Sequence, residues 1–375
     1  MTAPHPALLA LAANREAPPV GDEDVFLRSV SEHRMTATVL TAHQQGAIRL
    51  SDELARTFGM WDLAERRDHL RFWRAAGEVQ ARLAPLGAEV AVLKGIATEA
   101  RWYDELGQRA CTDLDLLLAP DALADVLGIV EAIDPRRPCP VGIDGLVRRR
   151  VLQHMDLHLG TVQVDLHFDP LKVGLPTRQL DEVWCTTQVL DTAQGSVRVL
   201  RPEIELVLLL LHLNKDRFAF LGPFLDIRQI LERAPLDWDY LHGFVAAEAL
   251  EVPVWKSFAA VADVLGIEHE APRVTGLRAW SWDRFWSRHA RLGGDEARAR
   301  APSVSRLLAL HASGRIGDKA REVRRQLLPH RPLLELAGRL EPGRSYAGHV
   351  ARTYVEHLTP GRARRSRAVP EGASL

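Results

Sequence analysis

The chain has 375 residues, 46% of them hydrophobic and 26% charged, with a formal net charge of -1. That length lets two or three domains each bury a core without covalent staples, and the near-neutral charge excludes a global field for nucleic acid or anionic membrane. Cys111, Cys139 and Cys185 stand far apart with neither CxxC nor paired spacing, so no disulfide framework is expected and a reducing cytoplasm is.

The first apolar stretch, Ala7 to Leu11, has no basic segment before it and ends at Asn14-Arg15-Glu16, so a signal peptide is not expected. Residues 1–87 read as a helical lead-in, with apolar residues at helical intervals in Val25-Phe26-Ser29-Val30 and in Leu54-Phe58-Trp61-Leu63. From 88 the texture changes. Val90-Ala91-Val92-Leu93 is a short β-type run ended by Lys94-Gly95, and helical spacing returns from Ile96 to Tyr103. Asp113 to Leu118 is the next β-type run, followed by a helix from Asp121 to about Ile133 that Pro135 and Pro138 end. Val151 to Leu159 and Val162 to Phe168 read as a hairpin turning at Gly160-Thr161, and a further hairpin is expected near Val189 and Val197 to Leu200. Pro202 occupies a first helical position, and residues 201–358 read as a helical domain. Its longest apolar run, Leu206 to Leu211, is too short to cross a bilayer, so no membrane partner is expected. The tail, 359–375, is basic and lacks apolar periodicity; a solvated terminus is expected there rather than a nucleic-acid arm.

Two residues apart on a strand, Asp113 and Asp115 share a face, roughly 6 to 7 Å apart along it. Two like charges in an otherwise apolar run require solvent or a bound cation, and oxygen donors of this kind suit Mg²⁺ or Mn²⁺. A wet edge strand is the competing explanation. The hairpin adds weight, because a two-residue turn at 160 and 161 pairs His154 with His167 and Asp156 with Asp165. One face then carries His154, Asp156, His158, Gln163, Asp165 and His167, and the other is apolar throughout. Of the 48 basic residues only five are lysine, which gives Lys94 and Lys215 slightly more weight as anion ligands.

The string Val92-Leu93-Lys94-Gly95, a helix, Arg109, Thr112-Asp113-Leu114-Asp115-Leu116-Leu117 and Val164-Asp165-Leu166-His167 resembles the uncharacterised nucleotidyltransferase-like proteins of bacteria. These belong to the superfamily with a DNA polymerase beta-like palm. The likeness extends more weakly into Leu211-His212-Leu213-Asn214-Lys215 and Phe224-Leu225-Asp226. It implies an α+β fold, with a small mixed-sheet palm over residues 88–200 between the helical lead-in and the helical C-terminal domain. It also implies that Asp113, Asp115 and Asp165 are the catalytic, metal-holding carboxylates. Many superfamily members have Gly-Ser where this chain has Lys94-Gly95.

The implied reaction moves an NMP from a nucleoside triphosphate to a hydroxyl or phosphate on a small-molecule, sugar or peptide acceptor, with Mg²⁺ or Mn²⁺ as cofactor. Lys94, Gly95 and Arg109 are expected at the phosphates, with His167, His212 and Lys215 approaching the same site. Replacing Asp113 or Asp115 by Asn is expected to relieve repulsion without harming the fold. Two other functions fit the sequence: a metal-dependent hydrolase using His154, Asp156, His158, Asp165 and His167 as ligands, and an inactive nucleotide-binding module.

Overall fold

The computed structural model describes residues 4–139, 142–171, 176–216 and 218–267, together with positions 272 and 283. Four helices open the chain: α1 (Pro6–Ala12), α2 (Glu23–His33), α3 (Thr36–Gln44) and α4 (Asp52–Leu83). The last is 32 residues long, and its start follows from the sequence. The Ser51 side chain accepts from the Leu54 N–H, and Asp52 and Glu53 place negative charge at the positive end of the helix. A strand and helix follow, β1 (Val90–Val92) and α5 (Ile96–Trp102), then β2 (Leu114–Leu118), α6 (Val126–Ile133), α7 (Ile143–Arg148), β3 (His154–Leu159) and β4 (Val162–His167). After α8 (Leu180–Cys185) come β5 (Gln188–Thr192), β6 (Gly195–Val199) and four helices, α9 (Pro202–Lys215), α10 (Gly222–Arg233), α11 (Trp238–Glu248) and α12 (Glu251–Leu265).

The six strands form one mixed sheet in the order β3-β4-β2-β1-β6-β5. β2 runs parallel to β4 and β1 parallel to β6, while β1–β2, β3–β4 and β5–β6 are antiparallel. The α+β architecture read from the sequence is therefore observed, and every strand among the described residues falls between 90 and 199. The hairpin register is the expected one, with His154 opposite His167 and Asp156 opposite Asp165. A one-residue slip would expose Met155, Leu157, Val164 and Leu166 and bury the acids, which is why alternation fixes the pairing.

Two expectations need correction. Asp113 lies one residue before β2, in a bend, rather than on the strand. The helix expected from Asp121 is split into a 3₁₀ turn over Pro120–Ala124 and α6, because the Asp125 side chain accepts from the Gly128 N–H and starts a new helix there. The helical reading of the C-terminal part holds as far as α12. The rest of that run and the basic tail lie outside the described residues.

One sheet face, with Val92, Leu114, Leu116, Leu157, Val164 and Leu166, packs against the C-terminal half of α4 and against α6 and α7. The opposite face contributes Ala91, Leu93 and Leu117 to a second core shared by α1, α2, α3 and α9 to α12. α4 spans both, with Leu54 and Phe58 in one core and Phe72 to Leu83 in the other. At about 25 cal/mol per Å² of apolar surface, each fully buried Leu or Phe contributes roughly 1.5 to 3 kcal/mol, so these two cores hold the sheet face between them in place. Among the described residues no helix is long and apolar enough to cross a membrane.

Candidate active site

Next to Ala91 and Leu117 the same sheet face turns polar, and the parallel pairing of β2 with β4 sets Asp115 directly beside Asp165. Asp115 is 2% exposed and His167 1%. The Asp115 carboxylate accepts from Lys94 Nζ at 3.1 Å and lies 3.0 Å from His167 Nε2, which is also 3.4 Å from Asp165. Burial would lower the Lys94 pKa, but the charges of Asp115 and Asp113 outweigh it and raise it overall. An oxygen of Asp115, an oxygen of Asp165 and a ring nitrogen of His167 lie within 4.8 Å of one another, a donor set that fits a divalent cation.

A cleft of about 190 Å³ opens in front of these groups. Asp113, Asp115, Asp165, Lys94, Gly95, Arg109, His212 and Lys215 all line it, so eight of the nine residues singled out from sequence meet there. His167 lies behind Lys94, in a smaller pocket that also touches His212 and Lys215. α9 explains how two of these arrive. The helix is buried all round, and His212 and Lys215 are the residues of its fourteen that are not buried, both turned to the cleft. Burial and the Lys94 charge lower the His212 pKa, and Asp216, 3.2 Å away, only partly offsets them.

Gly95 makes the turn from β1 to α5 at φ +66°, a conformation L side chains rarely adopt, and a Cβ there would lie 3.3 Å from Cys111 Sγ. Arg109 is aimed by a carboxylate from the far helix α10. Its Nε donates to both oxygens of Asp226 at 3.0 and 2.9 Å, Tyr103 donates to the same carboxylate at 2.8 Å, and Nη1 donates to Cys111 Sγ at 3.1 Å.

The loop carrying Arg109 is anchored from beneath. Glu99 accepts from the Gly107 and Arg109 N–H groups at 2.7 and 3.0 Å, and its other oxygen contacts His69 Nδ1 at 2.5 Å. Burial would lower the His69 pKa, but the contacts with Cys111 and Glu99 raise it from 6.5 to about 10. The proton on His69 therefore stabilises the fold fully below about pH 6.5, and that contribution is lost as pH climbs through 10. A His69→Gln variant should lose more stability at pH 7 than at pH 10.5 in urea titrations at the two values. An equal loss at both would show that the proton is not held.

Three features escaped the sequence reading. Arg34, in a left-handed conformation just past α2, reaches the cleft and stacks on Phe220 with 5.2 Å to the ring centroid. Asp226 was noted only as part of a weak likeness, and the His69–Glu99 pair not at all. Each depends on packing between segments distant in sequence, and only the residue types at these positions are visible locally. Of the five residues of the hydrolase reading, His154, Asp156, Asp165 and His167 fall in two ligand groups joined at Asp165. His158 belongs to neither ligand group found among the described residues, and its backbone N–H is tied to Asp134 at 2.9 Å.

The sequence model of a family described as uncharacterised nucleotidyltransferase matches residues 19–266, about two thirds of the chain. The chain belongs to this nucleotidyltransferase family. The match takes in α2 to α12, so the helix end bearing Arg34 and the helices bearing His212, Lys215 and Asp226 are parts of the family's shared region. No curated protein matches the chain. Among solved structures, an antigenic nucleotidyltransferase-like protein from Paracoccidioides brasiliensis aligns at 14% identity over 52% of this chain and 93% of its own, with a TM-score of 0.29.

Proposed function

We propose that this member of the nucleotidyltransferase family transfers an NMP from a nucleoside triphosphate to a hydroxyl or phosphate of a small-molecule, sugar or peptide acceptor. The observation that carries this reading is the division of one cleft into an acidic floor, Asp113, Asp115 and Asp165, and a basic surround, Lys94, Arg34, Arg109 and Lys215. A nucleoside triphosphate with its cation has that charge distribution. Asp113, Asp115 and Asp165 would hold the cation, Asp113 being the least buried of the three. The nearby imidazole of His167 favours Mn²⁺ at least as well as Mg²⁺. When bound, such ions neutralise charge that develops on the attacking and leaving oxygens during in-line displacement at phosphorus.

The protein's own groups do the rest. Lys94 and Arg109 orient the phosphates, Lys94 as a point charge and Arg109 through the guanidinium edge not taken by Asp226. Arg34 and Lys215 add positive charge toward the leaving end. Asp165, 7% exposed and lining the cleft, would accept the proton of an acceptor hydroxyl. The test is a panel of the four nucleoside triphosphates with Mg²⁺ or Mn²⁺, read by binding and by mass spectrometry against candidate acceptors. Binding of at least one triphosphate that requires the cation supports the reading; no binding under either cation sinks it.

A further inference from the structure

The proposed reaction leaves unused the outer part of the hairpin face, His154 and Asp156. Strand pairing sets three carboxylates in a row across adjacent strands: Asp156 on β3, Asp165 on β4 and Asp115 on β2. Neighbouring strands are spaced about 4.8 Å apart, so carboxylates opposed on one face stand close enough to share a cation. In the next row His154 opposes His167, their rings tilted by 32° with centroids 6.0 Å apart. The pleat thus aims an imidazole and two carboxylates at one point. A ring nitrogen of His154, an oxygen of Asp156 and an oxygen of Asp165 lie within 4.8 Å of one another. Donors bound to one ion at about 2.0 to 2.2 Å stand up to roughly 4.3 Å apart, so small side-chain rotations close the set.

We propose that His154, Asp156 and Asp165 form a second cation site, selective for a transition ion such as Zn²⁺, that shares Asp165 with the Asp115–Asp165–His167 group. The nitrogen donor sets the class, because imidazole suits Zn²⁺ and its transition-metal neighbours, whereas Mg²⁺, Ca²⁺ and Mn²⁺ favour oxygen. The shared carboxylate couples the two groups: an ion on the hairpin side would offset the repulsion between Asp156 and Asp165 and restrict the orientation of the Asp165 carboxylate.

The test titrates the full-length protein with Zn²⁺ alone by calorimetry, using wild type, His154→Gln, Asp156→Asn, His158→Gln and Asp115→Asn. The expected result is a Zn²⁺ event weakened about tenfold or more in H154Q and D156N, as loss of a direct ligand requires, and retained in H158Q and D115N. Because H154Q and D156N replace side chains outside both apolar cores, unchanged thermal midpoints in chelator are expected and keep the comparison interpretable. The proposal is overturned if wild type binds no Zn²⁺, if H154Q and D156N bind it as wild type does, or if D115N removes the same event. The reaction proposed above is read separately, through triphosphate binding by H154Q, so either conclusion can fail without the other.

Discussion

Asp226→Ala should lower stability by about 3 to 5 kcal/mol in urea unfolding, the range for removing one partner of a buried charge pair. Asp226 is 1% exposed, and its carboxylate is the shared acceptor of Arg109 and Tyr103. Truncation leaves a guanidinium with 15% side-chain exposure facing a void and removes the acceptor of the half-buried phenol. Burial would lower the Arg109 pKa, but Asp226 and the neighbouring Cys111 outweigh it and push it well above its ordinary value, so the group stays charged and the loss is not evaded by deprotonation. Tyr103→Phe, which removes only a neutral donor, should cost about 1 kcal/mol. A loss below that figure for Asp226→Ala would mean Arg109 does not depend on α10. The same variant should weaken triphosphate binding, since Arg109 would no longer be aimed.

Asp115→Asn should reduce kcat/KM for nucleotidyl transfer by about three orders of magnitude, near 4 kcal/mol of transition-state stabilisation. It should also destabilise the fold, on the order of 2 kcal/mol, because Lys94 keeps only 12% side-chain exposure and loses its ion partner. The sequence suggested no cost to the fold, because the substitution relieves repulsion between Asp113 and Asp115. In the structure Asp115 is paired with Lys94 and contacts His167, so its charge is compensated and a cost is expected. Combining Asp115→Asn with Lys94→Met should recover most of the stability and none of the activity. Recovery of activity in the double variant would contradict both roles.

The difference between these two sites shows what the sequence carries. Asp165 was legible because strand alternation and a two-residue turn fix which side chains of the hairpin share a face, and the observed hairpin register follows that logic residue for residue, whereas the place of Asp115 beside it was implied by the family resemblance. His212 and Lys215 were legible as polar residues one turn apart in an apolar helix. Arg34, Asp226 and the His69–Glu99 pair were not, since their positions depend on how α2, α10 and α4 dock, and no local period encodes that docking. Asp113 falls between the cases. Its spacing from Asp115 was visible, but the bend that takes it off the strand was not.

The central claim is that Asp113, Asp115 and Asp165 hold the cation of a bound triphosphate. It is tested most directly by electron paramagnetic resonance of Mn²⁺ with the α,β-methylene analogue of each nucleoside triphosphate, which binds without turning over. Wild type should bind Mn²⁺ more tightly with at least one analogue than without, and Asp113→Asn, Asp115→Asn and Asp165→Asn should each weaken that Mn²⁺ binding about tenfold or more. Mn²⁺ binding that no analogue strengthens, or that survives intact in Asp115→Asn and Asp165→Asn, would contradict the account.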